Sequence, residues 1–265
     1  MKGEALTIRR VEATRYVTPL KEGGSLPAIV EADDDGLYVL KFRGAGQGPK
    51  ALIAELVAGE IARAAGLPVP EIVFVHLEAE LARTEPDPEI HDLIRMSAGL
   101  NLALDYLPGS IMFSPVLHPV SETLASEIVW LDAFVTNIDR TPRNTNMLMW
   151  HKQPYLIDHG ASLYFHHSWY HYLERTGDPF PLIKDHVLLP SAGTLRQAGE
   201  KLKAAIGPDV VEEVVGMIPD DWFDGHSPFS SPGETRKAYI VYLKKRLEES
   251  ESFVEEAMRA RSVLV

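Results

Sequence analysis

The sequence predicts an α+β fold in two lobes: a small N-terminal antiparallel sheet with a helix, then a larger, mainly helical C-terminal lobe. Three observations carry this. Short β-like runs separated by glycine-bearing turns open the chain. A strong helical stretch follows the third of these runs. Beyond residue 107 the apolar spacing becomes mostly helical, so 1–107 and 108–265 are the expected units.

The elements follow in order. "EATRYVT" (12–18) and "LPAIVEA" (26–32) read as strands joined by a turn, and "DDDG" (33–36) leads into a third, "LYVLKF" (37–42). Residues 49–71 hold the clearest early helix: Pro49 suits its start, and Gly66 with Pro68 stops it. "EIVFVHLE" (71–78) is a further strand, 84–92 a polar loop, and 100–109 a strand ending in a turn. Residues 121–137 form a buried-looking helix with Ser121 as N-cap. "MLMW" (147–150) and "PYLI" (154–157) make a hairpin, and helices are expected within 191–207 and 234–260. Residues 221–234 read as a loop.

Composition narrows the classes of function. The 265 residues include no cysteine, which excludes disulfides, thiolate catalysis and cysteine metal sites. Net charge is −12, so direct nucleic-acid binding is not expected, and phosphate chemistry needs local cations or a metal ion. The charged N-terminus has no apolar signal segment, and no run reaches the ~18 apolar residues of a membrane span. A cytoplasmic protein without membrane partners is expected.

The most informative stretch is "NIDRTPRNTNML" (137–148), followed by "LIDHG" (156–160). Folding the intervening hairpin brings Asn144, before its first strand, beside Asp158, after its second. Asp139 hangs on the same loop as Asn144. Mg²⁺ takes hard oxygen ligands, commonly one or two protein groups completed by phosphate oxygens and water. Asn144 and Asp158 suit that share, and Asp139 is free to accept a proton from a hydroxyl nucleophile. Upstream, Lys41 lies on an otherwise apolar strand face. It either meets an anion there or reaches solvent along its stem. The next helix offers Glu55 and Glu60 as partners. On a helical wheel Glu60 falls at the centre of the apolar stripe and Glu55 off its edge. Gly23, Gly24 and Ser25 form either a phosphate-cradling loop or an ordinary hairpin turn.

These pieces resemble a known template. The Asp139 and Asn144 spacing, with Asp158-His159-Gly160 beyond a hairpin, is similar to the catalytic and metal-binding segments of kinases, with His where Phe is commoner. "DRTPRN" resembles the D-R-x-x-x-N loop of phosphatidylinositol-kinase-like enzymes. "VLKFRG", "AELVAGEIARAAGLPVPE", "NIDRTPRN" and "YLIDHGASL" occur in the order seen in HipA-like kinases, over about residues 23 to 165.

That resemblance implies a bilobal protein-kinase-like fold and an ATP- and Mg²⁺-dependent phosphotransferase acting on a hydroxyl of a protein. It implies that Lys41 holds ATP phosphates with Glu55 as its partner, so Glu55 is preferred to Glu60. Asp105, Tyr106 and Leu107 become the hinge that meets adenine, Asp139 the base, Asn144 and Asp158 the metal ligands. Arg140 and Arg143 become stabilisers of the transferring phosphoryl group, and Gly23, Gly24 and Ser25 the phosphate loop. Ser25 is the nearest match to the family's autophosphorylated serine. A small-molecule kinase of the aminoglycoside or choline type, a pseudokinase-like nucleotide-binding module and a two-metal hydrolase are the alternatives. A zinc site at His167 and His171 is the lesser reading of the histidine-rich segment, which is expected instead to line the acceptor side.

Overall fold

The computed structural model describes residues 6–20, 26–46, 48–223, 225 and 227–265. Five strands close into a barrel in the order β1-β2-β3-β5-β4: β1 (Arg10–Pro19), β2 (Ala28–Ala32), β3 (Leu37–Lys41), β4 (Ile72–Leu77) and β5 (Gly99–Asp105). Both hairpins expected at the start are present, β1 with β2 and β2 with β3. The purely antiparallel sheet is corrected in one place. β1 runs parallel to β4, with Arg10 opposite Phe74, and this pairing closes the barrel. Closure satisfies backbone groups that an open sheet leaves unpaired at its edges.

Strand alternation sets the two faces of β3. Tyr38 and Leu40 point into the barrel core with Val30, Val73 and Ala103, and Phe42 joins them past the strand's end. Lys41 takes the opposite face, against α1 (Pro49–Ala64). Pro49 occupies the first turn of α1, and Gly66, at φ 80°, terminates it in the left-handed region that glycine adopts freely. α1 is buried almost all round, so it has no single apolar stripe: Leu52, Leu56, Ala58 and Ile61 are all buried, and so are Glu55 and Glu60.

The polar loop expected at 84–92 is corrected by α2 (Pro88–Met96). Asp87 caps it, accepting the Glu89 N–H at 2.9 Å, and Pro88 sits in its first turn. Its Ile90, Leu93 and Ile94 pack on the barrel core.

After residue 107 come a three-stranded sheet, β6 (Ile111–Met112), β7 (Met147–Trp150) and β8 (Gln153–Leu156), and helices α3 (Glu122–Val135), α4 (Leu195–Ala205), α5 (Pro208–Gly216), α6 (Pro232–Glu248) and α7 (Glu251–Ser262). Ser121 caps α3 by accepting the Leu124 N–H at 3.2 Å. The segment 234–260 is two helices that part at Glu249 and Ser250, and α5 was not anticipated. One apolar cluster runs from α1 through α3 to α4–α7, with Trp130 stacked on Phe134 and Phe253 edge-on to Trp130. No helix among the described residues is long and apolar enough to cross a membrane.

Arg246 of α6 locks this cluster. Its buried guanidinium donates to the carbonyls of Phe134 (2.7 Å), Ala133 (2.8 Å) and Thr176 (2.9 Å), satisfying the last turn of α3. Arg246→Ala is expected to cost about 3 kcal/mol or more, since each orphaned buried acceptor costs ~1–3 kcal/mol. Arg246→Lys should recover less than half of that, because one ammonium does not span carbonyls on separate segments. Urea denaturation measures both; a loss under ~1 kcal/mol in the alanine variant contradicts the assignment.

Candidate functional site

Three segments far apart in sequence meet at one ammonium group. Lys41, at the end of β3, has a side chain only 11% exposed, and its Nζ lies 2.7 Å from Asp158 Oδ1 and 3.6 Å from Glu55 Oε2. Glu60 instead pairs with Arg63 on its own helix at 2.8 Å. The wheel argument for Glu60 assumed one buried helix face; α1 is buried on nearly every side, so an acid off the stripe is buried as well.

The electrostatics follow from this crowding. Burial alone would lower the Lys41 pKa, but Glu55 and Asp158 outweigh it and raise it, so the ammonium stays charged. Burial raises the pKa of Glu55 despite Lys41, and one of its carboxylate oxygens, Oε1, is buried with no partner. Burial also opposes ionisation of Asp158, but the Lys41 charge and hydrogen bond prevail and hold its pKa below the ordinary value.

The hairpin of β7 and β8 positions the other acidic loop. Met147 pairs with Leu156, and the Ile157 N–H donates to the Asn146 carbonyl at 3.0 Å, which carries the ladder one step further. Asn144, Asn146 and Asp158 therefore leave the hairpin from the same end. Asp158 has φ 56°, a left-handed conformation that Asp tolerates better than most residues. Asp139 is half-buried and fixed by three asparagines. Asn144 and Asn146 donate to its Oδ2 at 2.8 and 3.1 Å, and Asn137 accepts its backbone N–H at 3.0 Å.

Arg140 lies elsewhere than its expected role requires. It is buried beneath the loop, with Nε 2.6 Å from Asp132 Oδ2 and its Nη1 donating to the Asn146 carbonyl. It therefore braces the loop from below and does not face a phosphoryl group. Asp132 also accepts from Asn137 Nδ2 at 3.1 Å and lies 2.9 Å from His186 Nε2. Although burial opposes its ionisation, Arg140 and His186 keep the Asp132 pKa far below the ordinary carboxylate value. Asp132, Asn137, Asn146 and His186 escaped sequence reasoning. The signal for Asp132 was present: a carboxylate inside an apolar helix needs a buried cation, and Arg140 lies two turns on.

Arg143 is exposed on the Asp139 loop. The N–H groups of Asp105 and Tyr106 are committed to the Glu71 and Leu37 carbonyls at 2.8 and 2.9 Å. Gly23, Gly24 and Ser25 lie outside the described residues. The helical spacing of His167 and His171 is not realised. Short 3₁₀ turns, Tyr164–His167 and Tyr172–Glu174, flank a left-handed His171, which lies 2.6 Å from Glu174. Among the described residues no three His, Cys, Asp or Glu side chains gather as a metal cage. The oxygens of Asn144 and Asp158 fit a hard cation completed by phosphate oxygens.

A barrel-and-helix unit supplying a buried lysine–glutamate pair, joined to a hairpin carrying two acids, is the arrangement of a phosphotransferase. The family comparison agrees. The model of HipA-like kinase matches residues 14–256, and the chain belongs to that family; it is a nucleotide-binding kinase. Among solved structures it is similar to the Helicobacter pylori proinflammatory kinase CtkA, at 12% identity and TM-score 0.55, over 98% of this chain and 100% of that one. That likeness is one of fold. The Golgi casein kinase aligns at 12% identity and TM-score 0.49, over 97% of this chain and 73% of that one. No curated protein sequence matches the chain.

His159, between Asp158 and Gly160, sits buried 3.4 Å from an Arg140 nitrogen. Burial, reinforced by the Arg140 charge, holds its pKa down to about 3 against an ordinary 6.5. Between those values the unfolded chain binds a proton that the native fold refuses. Stability is thus complete above about pH 6.5 and is lost as pH falls, by about 2 kcal/mol from this residue between pH 7 and pH 5. Chemical denaturation at both pH values should show that loss shrink by a similar amount in His159→Phe; an unchanged pH dependence contradicts a neutral buried His159.

Proposed function

We propose that the chain transfers the γ-phosphate of ATP, with Mg²⁺, to a hydroxyl group of a protein in the cytoplasm. The observation that carries this reading is the Lys41 ammonium held between Glu55 and Asp158. Residues 1–107 form the nucleotide-binding lobe and 108–265 the catalytic lobe, and the nucleotide lies between them. Lys41 donates to the α- and β-phosphates, and Glu55 keeps it aimed there. Adenine meets backbone groups of the 105–107 hinge. Since the Asp105 and Tyr106 amides already serve the barrel, Leu107 is the remaining hinge donor.

Asn144 and Asp158 hold the metal ion, which when bound neutralises charge on the β- and γ-phosphates. The acceptor hydroxyl forms its new bond to the γ-phosphorus as the bond to the bridging oxygen breaks and ADP departs. Asp139 accepts the hydroxyl proton, its orientation fixed by Asn144, Asn146 and Asn137. Arg143, exposed beside this loop, faces the transferring group; Arg140 acts only by positioning the loop. Ser25, the nearest match to the family's autophosphorylated serine, is a candidate for self-phosphorylation.

Thermal unfolding with and without MgATP tests the reading. A ligand at a hundredfold excess over Kd adds about 2.7 kcal/mol, which raises Tm by several degrees. Asp158→Ala should abolish the Mg²⁺-dependent part of that rise. Asp139→Asn should keep the rise while losing phosphate transfer. A Tm indifferent to millimolar MgATP contradicts the proposal, and full transfer by Asp139→Asn removes that residue from the mechanism.

A further inference from the structure

A concavity opens beside the Asp139 loop. Its volume is about 300 Å³, and Ile138, the residue preceding Asp139, forms part of its wall. Tyr164, Phe180, Leu182 and Tyr242 complete an apolar lining drawn from α6 and the segment that follows Asp158. Ile138, Tyr164 and Leu182 are exposed there, Leu182 by 51%, although each is a large apolar residue. Ile138 directly precedes Asp139, and neighbouring residues lie only ~3.8 Å apart at Cα, so this wall lies close to the Asp139 loop.

The charges at this pocket discriminate between acceptors. Two arginines, Arg175 and Arg246, line it against one acid, Asp178. Arg246 already donates to carbonyls through all three of its nitrogens. Arg175 gives one terminal nitrogen to the Ser168 carbonyl, while its Nε is buried with no hydrogen-bond partner. Two guanidinium groups disfavour the amines of an aminoglycoside or the quaternary nitrogen of choline, despite the aromatic walls that such a cation seeks elsewhere. An uncharged apolar side chain of a polypeptide suits both the apolar lining and the excess of guanidinium over carboxylate.

We propose that this pocket receives a large apolar side chain of a polypeptide acceptor, within a few residues of the phosphorylated hydroxyl. The inference rests on the phosphotransfer reading above and adds to it the kind of acceptor and a determinant of its choice. The pocket thereby sets sequence preference, and Leu182 is a positioning residue at its rim.

The test is a set of serine and threonine peptides in which leucine or phenylalanine replaces alanine at each position within four residues of the hydroxyl. Choline and an aminoglycoside serve as alternative acceptors, and MgATP stabilisation is measured in parallel. One position should raise kcat/KM about tenfold or more, the scale on which an apolar pocket discriminates. Leu182→Asp should erase that preference through KM while leaving MgATP stabilisation and fold intact. Leu182→Ala should weaken it partially. Peptides used without preference, or a preference that survives Leu182→Asp, overturn the pocket's role. Label on choline or the aminoglycoside alone overturns it while leaving the kinase reading in place. Absence of both transfer and MgATP stabilisation removes the reading on which it rests, and the inference with it.

Discussion

Everything at this site depends on keeping one lysine charged where water is scarce. A buried ammonium is costly unless anions surround it. Here two carboxylates from different parts of the chain do so, Glu55 from α1 and Asp158 from the end of the hairpin. The three groups carry one excess negative charge when all are ionised; burial, with the nearby Asp158 charge adding to it, raises the Glu55 pKa despite Lys41. The same contact ties the barrel to the hairpin, 117 residues apart in sequence. The fold's long-range assembly and the site's charge balance are therefore one interaction.

A second buried ion pair supports the first from below. Asp132 on α3 anchors Arg140, which in turn holds the Asn146 carbonyl and approaches His159. His186, more than forty residues downstream, completes the set on Asp132. Removing one member of such a network strands a charge, so its members persist together. The result is that buried side chains hold the backbone at and beside both acids: Asn137 accepts the Asp139 N–H, and Arg140 donates to the carbonyl of Ile157, which precedes Asp158. Precise placement of this kind is what transfer chemistry demands.

Much of this was legible in the sequence because its signals were local. Alternation placed Lys41 on the face opposite Tyr38 and Leu40, and the capping residues Ser121, Pro49 and Gly66 marked helix ends. The loop spacing put Asp139 beside Asn144, and the two are hydrogen-bonded at 2.8 Å. What was not legible depended on tertiary context. Nothing in a single strand announces that β1 will pair in parallel with β4. The wheel misjudged Glu60 because it assumed one buried face on α1. α2 was hidden by a polar composition, although Asp87 and Pro88 form a sound helix start. The resemblance made Arg140 a stabiliser of the transferring phosphoryl group; only the fold shows it turned inward to Asp132. The 3₁₀ turns that carry the pocket's far wall have no strong periodicity to read.

The most direct measurement is a crystal structure of the chain with a non-hydrolysable ATP analogue and Mg²⁺. The account predicts Lys41 Nζ within hydrogen-bonding reach of a phosphate oxygen, about 2.7–3.2 Å, still backed by Glu55, with the metal on Asn144 and Asp158. A nucleotide seated away from Lys41, or a metal bound without Asp158, contradicts it.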